Sequence, residues 1–309
     1  MPPLIVIGGA TATGKTGLAI AVAVALRNLG RPVEIVSADS RQVYRGLDIG
    51  TAKVPLEQRA GIVHHGLDLV EPDEPFSVAD FAAHAGGVLA DIAARGGIAI
   101  LAGGTGLYLR AVTRRLDPAG LPSDPALRAR LRGELATNGL ASAVERLRTI
   151  APTAAARIDL ANPRRVERAL ELAILRGDAP LPPPGRYPGP LLELGLAVEP
   201  EALRQRIAVR ARGQFDAGLI EEAAELRRRF DPGLPAFSAI GYREAWAVLD
   251  GALTRQAAIE FDAARNVAFA RRQRTWFRSE PGYTWLDATS ADPIPAAVEL
   301  ARAFVERGD

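Results

Sequence analysis

Gly9-Ala-Thr-Ala-Thr-Gly-Lys-Thr16 is the stretch that decides the fold, because it matches the pattern G-x-x-x-x-G-K-[ST]. The apolar run Leu4–Ile7 precedes it and predicts a buried strand, and the residues from Lys15 to about Asn28 predict a helix. A loop of this kind directs backbone N–H groups at phosphate, and its lysine neutralises phosphate oxygens. We predict a diphosphate site at Gly9, Ala10, Thr11, Ala12, Thr13, Gly14, Lys15 and Thr16, with the hydroxyl of Thr16 as a ligand of Mg²⁺.

Further apolar runs predict strands at 33–36, 98–101, 192–198 and 283–286. Helical stretches separate these strands, which is typical of a parallel α/β sheet whose ligands bind beyond the carboxyl ends of the strands. Asp39 and Thr105 each follow one of the strands, so we expect both side chains near the phosphate loop. The predicted fold class is α/β, with a P-loop NTPase-like parallel sheet core and a helical insertion domain.

The strand pattern stops between residues 117 and 190. Ser123, Asp124 and Pro125 predict the start of an amphipathic helix over 124–148. Asn162 followed by Pro163 predicts a second helix that continues to residue 176. We therefore predict a core domain made of 1–116 and 191–309, with a helical insertion domain at 117–190.

Composition limits the classes of function. The 309 residues carry a net charge of only +2, so the chain as a whole does not have the charge of a nucleic-acid-binding protein. Cysteine is absent, which excludes disulfides and thiolate metal sites. The apolar runs are too short to span a bilayer, and the first residues do not match a signal peptide. Adjacent His64 and His65 fit a structural role better than a metal site.

Basic residues are unevenly distributed. Only Lys15 and Lys53 of the 38 basic residues are lysine, and the others are all arginine. Thirteen arginines lie between Arg110 and Arg176, against seven acidic residues. This excess fits either a solvated helical surface or a site for a polyanion. Lys15 is explained by its place in the phosphate loop, where a compact ammonium fits among phosphate oxygens. Lys53 has no such explanation from the sequence.

Three residues are candidates for catalysis. Asp39 lies where a kinase-like P-loop fold places a base for its acceptor, although Ser-Ala-Asp-Ser is also a good turn sequence. Thr105 lies in a glycine loop, and Arg110 follows it by five residues; both could face a diphosphate, or form an ordinary strand-to-helix turn with an exposed arginine. Taken singly, Tyr44, Tyr108 and Trp276 are more typical of packing than of base stacking.

Beyond the phosphate loop, the chain resembles the tRNA dimethylallyltransferases, also called tRNA isopentenyltransferases, of bacterial type. The resemblance extends nearly from end to end, through Asp39-Ser-Arg-Gln-Val-Tyr-Arg-Gly-Leu-Asp-Ile-Gly-Thr-Ala-Lys53, His64-His65, Phe76-Ser-Val-Ala-Asp-Phe81, Gly103-Gly-Thr-Gly-Leu-Tyr108, Asn162-Pro-Arg-Arg-Val-Glu-Arg-Ala-Leu-Glu171, Ala239-Ile-Gly-Tyr-Arg-Glu244 and Ala270-Arg-Arg-Gln-Arg-Thr-Trp-Phe-Arg278. A generic kinase would share only the phosphate loop. So many segments in order make the resemblance specific.

The resemblance implies transfer of a dimethylallyl group from dimethylallyl diphosphate to the exocyclic amine of the adenosine at position 37, next to the anticodon, in tRNAs that read codons beginning with U. It also implies a cytoplasmic monomer that uses Mg²⁺ and binds the anticodon stem-loop. Asp39, Thr105 and Arg110 would be catalytic. The positions implied for tRNA contact are Asp39, Ser40, Arg41, Gln42, Thr105, Arg128, Arg164, Arg165, Arg168, Gly241, Tyr242, Arg243, Arg271, Arg272, Gln273, Trp276 and Arg278.

The chain departs from the family pattern in places. Ala10 stands where proline is frequent and Thr13 where serine is frequent, and both changes preserve the anion site. Asn266-Val267 replaces a frequent Thr-Arg pair and so removes a cation. The alternative functions are a prenyltransferase for free adenine nucleotides and an ATP-dependent small-molecule kinase. A third is an RNA-binding protein in which the P-loop only senses a nucleotide.

Overall fold

The computed structural model of the protein describes residues 1–114 and 120–307. The chain divides into two compact units. The larger unit comprises Met1–Arg115 and Arg186–Asp309, and the smaller one comprises Leu116–Gly185. The first predicted domain boundary, at 116–117, lies outside the described residues.

The larger unit contains a sheet of six strands. They are β1 (Leu4–Gly9), β2 (Val33–Ser37), β3 (His64–His65), β4 (Ile98–Gly103), β5 (Leu191–Ala197) and β6 (Thr284–Asp287). Their order across the sheet is β3-β2-β4-β1-β5-β6, and every neighbouring pair is parallel. The predicted α/β class with a parallel sheet is confirmed. The edge strand β3 was not predicted, because two residues are too few to produce a recognisable pattern.

Helices lie between most of the strands. In chain order they are α1 (Lys15–Arg27), α2 (Val78–Ala94), α3 (Gly106–Thr113), α4 (Pro125–Ile150), α5 (Pro152–Ala155), α6 (Pro163–Arg176), α7 (Pro200–Asp216), α8 (Leu219–Arg229), α9 (Tyr242–Leu249), α10 (Arg255–Arg278) and α11 (Ile294–Glu306). Short 3₁₀ turns occur at Leu56–Gln58 and Pro235–Ser238. Among the described residues, no helix has both the length and the apolar character needed to cross a bilayer.

Strand β1 shows how the sheet is buried. Leu4 and Val6 belong to one core cluster, which also contains side chains from α2, α3, α8 and α9. Ile5 and Ile7 belong to the cluster on the other face, with side chains from α1, α7 and α11. Successive side chains of a strand point to opposite faces, so an unbroken apolar run is needed when helices cover both. Helices therefore cover both faces, and in parallel α/β sheets of this kind ligands bind beyond the carboxyl ends of the strands.

The smaller unit is helical. The Asp124 carboxylate accepts from the amides of Ala126 and Leu127 at the start of α4, and the Asn162 side chain caps α6 in the same way. Gly139, with φ of 78°, interrupts α4, so the helix predicted over 124–148 is two helical segments. The core between α4 and α6 includes Leu127, Leu131, Leu147, Val166 and Leu170.

Candidate functional site

The phosphate loop connects β1 to α1 at the middle of the sheet. Gly9 and Gly14 have φ of 152° and 95°, and Ala12 has φ of 60°, so the loop turns through conformations that most residues avoid. Within the described residues, the amides of residues 12–16 donate to no other group. Free amides at a helix N-terminus form a concave site for an anion. The loop therefore has the geometry of a phosphate site.

The Lys15 ammonium contacts the loop that carries it. Its Nζ donates to the Ala10 carbonyl at 2.6 Å, and the Thr13 hydroxyl donates to the same carbonyl at 2.9 Å. Burial and, to a smaller extent, the neighbouring cation of Arg210 lower the pKa of Lys15 to about 8, and the Asp39 carboxylate partly opposes this shift. Burial and a second cation disfavour the charged form of this lysine, so a bound anion stabilises that form strongly.

Arg210, on α7, belongs to this group and was not predicted from the sequence. Its Nη1 donates to the Thr11 hydroxyl at 2.9 Å, and its Nε is buried without a hydrogen-bond partner among the described residues. Burial lowers the pKa of Arg210, while the carboxylates of Asp39 and Asp262 raise it. Helix α7 contains four arginines, and no sequence motif distinguishes Arg210 from the other three. Only the fold brings Arg210 to the phosphate loop.

Asp39 follows β2, and Thr105 follows β4. These strands are neighbours, and the two loops are hydrogen-bonded to each other: the Ser40 amide donates to Thr105 Oγ1 at 3.0 Å. Asp39 Oδ1 accepts from the Arg41 amide at 2.8 Å, so one carboxylate oxygen forms a turn. The second oxygen makes no hydrogen bond with the described residues. Asp39 thus has both features that the sequence left open, a turn contact and an oxygen free to accept a proton.

Gln273, on α10, joins the phosphate loop to the Thr105 loop. Its Oε1 accepts from the Thr11 amide at 2.8 Å, and its Nε2 donates to the Gly104 carbonyl at 2.9 Å. The side chain is only 7% exposed. Among the positions implied for tRNA contact, Gln273 therefore lies inside the site, where it sets the spacing between two loops.

Arg110 lies beside Trp276. Its guanidinium forms an ion pair with Glu280, and its Cζ lies 5.2 Å from the centroid of the Trp276 ring. The Trp276 ring packs on Gly106, where an added Cβ would lie 2.4 Å from it. The structure thus places Arg110, in the last turn of α3, against Trp276, and its charge is already neutralised by a carboxylate.

Asp262, on α10, is a buried carboxylate near Arg210. It is 1% exposed; Asn266 Nδ2 donates to its Oδ1 at 2.8 Å, and its Oδ2 has no hydrogen-bond partner among the described residues. Burial raises the pKa of Asp262 to about 6, and the hydrogen bond from Asn266 partly opposes the shift. Asn266, one of the departures from the family pattern, therefore has a structural role here.

Other implied tRNA contacts of the larger unit differ in accessibility. Tyr242 is fully buried, and its hydroxyl donates to Glu222 at 2.8 Å, so its ring is a core element. Gly241 is buried, with φ of 109°, at the start of α9. The exposed members are Arg243, Arg271, Arg272 and Arg278, and the partly buried ones are Ser40, Arg41 and Gln42.

The four arginines of the smaller unit that are implied to contact tRNA form two groups. Arg128 and Arg168 both donate to the fully buried Glu171, with Arg128 Nη2 at 3.0 Å and Arg168 Nη1 at 2.6 Å from Oε2. Arg164 and Arg165 are exposed in the first turn of α6, and Arg165 lies 4.0 Å from Asp159. Arg128 joins α4 to α6 through Glu171, and Arg168, itself on α6, donates to Glu171 and to the Pro122 carbonyl. Arg164 and Arg165 are instead available to a partner.

The described residues contain no group of three or more histidine, aspartate or glutamate side chains that could hold a metal. His65 Nε2 instead contacts the buried Glu34 at 2.6 Å. Thr16 is exposed in the first turn of α1, and its hydroxyl makes no hydrogen bond with the described residues. Mg²⁺ bound through phosphates usually takes one or two protein oxygens and keeps several waters, so a free hydroxyl beside the phosphate loop fits such an ion.

Known proteins resemble the chain over nearly its whole length. The model of the IPP transferase family matches residues 42–280. A tRNA dimethylallyltransferase from Anaeromyxobacter sp. is 47% identical, with 92% of each chain covered, and one from Salinispora tropica is 42% identical, with 95% of this chain and 91% of the relative covered.

Solved structures are also similar. The tRNA isopentenylpyrophosphate transferase of Bacillus halodurans superposes with a TM-score of 0.72 at 36% identity, covering 99% of this chain and 97% of its own. A eukaryotic dimethylallyltransferase, solved acting on tRNA, gives a TM-score of 0.80 at 25% identity, covering 100% of this chain and 81% of its own. The motifs, the fold and these relatives agree, and the chain belongs to the tRNA dimethylallyltransferase family of prenyltransferases.

Proposed function

We propose that the protein transfers a dimethylallyl group from dimethylallyl diphosphate to the exocyclic amine of the adenosine at position 37, beside the anticodon, in tRNAs that read codons beginning with U. The observation that carries the proposal is the geometry beyond the carboxyl ends of three neighbouring strands, where Lys15 and Arg210 are hydrogen-bonded to the phosphate loop and the loop of Asp39 is hydrogen-bonded to Thr105. Two cations and one carboxylate in a single cleft fit a reaction in which an anion leaves and an amine loses a proton.

The leaving group is a diphosphate. An allylic carbon–oxygen bond breaks readily once the charge that develops on the diphosphate is stabilised. The free amides of residues 12–16, the Lys15 ammonium and the Arg210 guanidinium would supply that stabilisation, because each is positioned before the reaction. When bound, Mg²⁺ held by Thr16 would neutralise further charge on the diphosphate.

The acceptor is the adenine amine, a weak nucleophile whose lone pair is delocalised into the ring. The Asp39 oxygen outside the turn would orient this amine and accept its proton as the carbon–nitrogen bond forms. Thr105 holds the neighbouring Ser40 amide at 3.0 Å and so fixes the loop that carries the base. The adenosine must leave its stack to reach Asp39, which is easiest for an unpaired base of the anticodon loop.

Phosphate contacts would hold the tRNA. Exposed arginines occur at the end of α10 in the larger unit and in the first turn of α6 in the smaller one. Guanidinium groups bind phosphate oxygens through two donors, and such contacts give affinity that falls with salt. We assign the tRNA-binding surfaces to Arg271, Arg272 and Arg278, and to Arg164 and Arg165.

The test is incubation of the protein with labelled dimethylallyl diphosphate, Mg²⁺ and unmodified tRNA, followed by nucleoside analysis. Label on the adenosine beside the anticodon is expected, and substitution of that adenosine by guanosine should abolish it. Label on free AMP or ATP alone would support the nucleotide prenyltransferase, and transfer of phosphate from ATP would support the kinase. Omission of Mg²⁺ tests whether the ion contributes to transfer, and we expect the rate to fall without it. A cytoplasmic location and a monomeric state stay predictions of the sequence.

Asp39→Ala separates an enzyme from a nucleotide-sensing RNA-binding protein. We expect kcat to fall by about 10²–10⁴-fold, because a general base is lost, while diphosphate binding is retained. A non-catalytic protein would show equal, negligible turnover before and after the substitution. Glu57→Ala, at an exposed carboxylate of the 3₁₀ turn Leu56–Gln58, reports the effect of removing a negative charge that is not in the cleft.

A further inference from the structure

Lys53 is the second lysine of the chain, and the diphosphate site does not use it. Its side chain is 5% exposed. Its Nζ contacts three oxygens: the Tyr44 carbonyl at 2.6 Å, Asp48 Oδ1 at 2.7 Å and Asp68 Oδ1 at 2.5 Å. All three N–H donors of the ammonium therefore have an acceptor.

This geometry explains a lysine in a chain whose other cations, apart from Lys15, are all arginine. An ammonium is a compact charge whose three donors diverge tetrahedrally, so it can satisfy three oxygens that surround one point. The donors of a guanidinium lie in one plane and extend farther from the stem. An arginine at position 53 would therefore displace at least one of the three oxygens.

The oxygens held by Lys53 lie on the segment that follows Asp39. The Tyr44 amide donates to the Arg41 carbonyl at 3.3 Å, and the Arg41 amide donates to Asp39 Oδ1 at 2.8 Å. Two hydrogen bonds thus connect Tyr44, whose carbonyl accepts from Lys53, with the carboxylate of Asp39. A shift of Tyr44 would be transmitted to the turn that orients Asp39.

A second connection passes through Gln42. The Asp68 amide donates to the Gln42 carbonyl at 3.1 Å, so the residue whose side chain binds Lys53 also holds the backbone of this loop. Gln42 Nε2 donates to the Thr51 carbonyl at 3.1 Å, and Gln42 Oε1 accepts from the Ser37 hydroxyl at 2.8 Å. The loop is therefore fixed both to the end of β2 and to the residues just before Lys53.

The backbone next to this contact is strained. Asp68 has φ of 54°, and Ala52, the residue before Lys53, has φ of 50°. Residues with a Cβ avoid this left-handed region, and they adopt it where surrounding contacts hold them, often near functional sites. Asp68 is held by Lys53 Nζ and by the hydrogen bond from its amide to the Gln42 carbonyl, and Ala52 is held by the hydrogen bond from its amide to the Ile49 carbonyl at 3.0 Å.

We propose that Lys53 is a positioning residue for the transfer reaction, which acts by holding the turn between Asp39 and Tyr44 so that the Asp39 carboxylate faces the incoming amine. This inference rests on the proposed role of Asp39 as the base. The three oxygens that Lys53 Nζ contacts belong to Tyr44, Asp48 and Asp68, none of which is assigned to the diphosphate site. Loss of Lys53 should therefore affect the rate of transfer and leave the binding of dimethylallyl diphosphate nearly unchanged.

The test compares Lys53→Arg and Lys53→Met with the unmodified protein in steady-state transfer to tRNA. We expect kcat to fall about 100-fold in both variants, since a displacement of about 1 Å at a reacting group costs that much. The KM for dimethylallyl diphosphate should change less than about threefold. The matched control is Arg45→Met, a cation of the same segment that donates to the Leu69 carbonyl from an exposed side chain; it should retain kcat.

Chemical rescue keeps the test informative if the variants fold poorly. The chain has no cysteine, so Lys53→Cys introduces a single thiol that 2-bromoethylamine converts into a lysine analogue. Aminoethylation should restore kcat at least tenfold, whereas alkylation with iodoacetamide, which adds no ammonium, should not. Retained kcat in Lys53→Arg overturns the inference, as does loss of diphosphate binding in parallel with kcat. If Asp39→Ala also retains kcat, the role of Asp39 as the base fails instead, and absence of transfer by the unmodified protein overturns the proposed function.

Discussion

The guanidinium of Arg210 donates to the hydroxyl of Thr11 across 2.9 Å, although the two residues are separated by 199 positions in the chain. The contact brings helix α7 against the phosphate loop and places a second cation beside Lys15. Because the Arg210 Nε is buried and unpaired among the described residues, the guanidinium retains a donor for a ligand. The cleft therefore has a cation that the phosphate-loop motif does not include.

Arg210→Gln should slow transfer by about 10²–10³-fold, because it removes a preorganised cation from the developing charge of the diphosphate. The measurement is kcat with dimethylallyl diphosphate and tRNA both saturating. Arg204→Gln is the control, since Arg204 lies on the same helix and forms an exposed ion pair with Glu201. Equal kcat values for the two variants would show that Arg210 does not stabilise the leaving diphosphate.

Diphosphate binding should weaken as pH rises above about 8, where Lys15 loses its proton. Burial and Arg210 lower the pKa of Lys15 in the free protein, and a bound diphosphate raises it, so binding is linked to the uptake of a proton. Calorimetry with inorganic diphosphate between pH 7 and 10 measures this. In Lys15→Met, the affinity should be lower at pH 7, and it should not decline further as the pH rises above about 8.

Asp262→Asn should stabilise the protein by about 1–2 kcal/mol more at pH 8 than at pH 5. Burial raises the pKa of Asp262 to about 6 in the folded state, above its value in the unfolded chain. The stability that this carboxyl contributes is fully present below the unfolded pKa and is lost as pH rises through 6. Asparagine retains an oxygen for Asn266 and avoids the buried charge.

Urea titrations of both proteins at the two pH values measure the difference. Asp250→Asn serves as the control, because Asp250 forms an exposed ion pair with Arg227. An effect of Asp262→Asn that does not vary with pH would mean that the carboxyl does not titrate in this range.

Glu171→Gln should loosen the smaller unit by about 2 kcal/mol, because one buried carboxylate joins Arg128, Arg168 and the Asp124 amide. Burial disfavours the charge of Glu171, but its hydrogen bonds outweigh this effect and lower its pKa. Hydrogen exchange of the amides in α4 and α6 reports the change locally. Glu145→Gln, at an exposed position, should leave exchange unchanged.

Replacing both Arg164 and Arg165 with alanine should weaken tRNA binding and reduce the slope of log affinity against log salt by about 1–2. Both side chains are exposed, so the thermal stability of the protein should not change. Filter binding between 50 and 200 mM salt gives the slope. An unchanged slope would show that neither arginine contacts a phosphate.

The phosphate loop, the parallel sheet and the helices of the insertion could be predicted because each depends on local pattern. Gly9 to Thr16 form a contiguous motif, β1 is an unbroken apolar run, and Asn162-Pro163 is a local helix start. Edge strand β3 could not be predicted in this way, since its two residues take their structure from pairing with β2.

The residues that complete the site depend on contacts between distant parts of the chain. Gln273 lies in a segment implied to contact tRNA, yet its amide holds the Thr11 and Gly104 loops, and Arg128 and Arg168 hold a buried carboxylate within the insertion. No pattern of spacing distinguishes an arginine that faces solvent from one that faces a buried glutamate. The partners of each polar group are set when the chain packs.

The sequence by itself determined that this protein has a strand, a phosphate loop and a helix at its start, because the glycines and the lysine of residues 9–16 act through their own backbone and side chains. Only the tertiary structure decided which cations surround that loop and how the carboxylate of Asp39 is held. Arg210 and Lys53 act through oxygens brought to them by folding, and the energy of a buried charge depends on those neighbours rather than on its place in the chain.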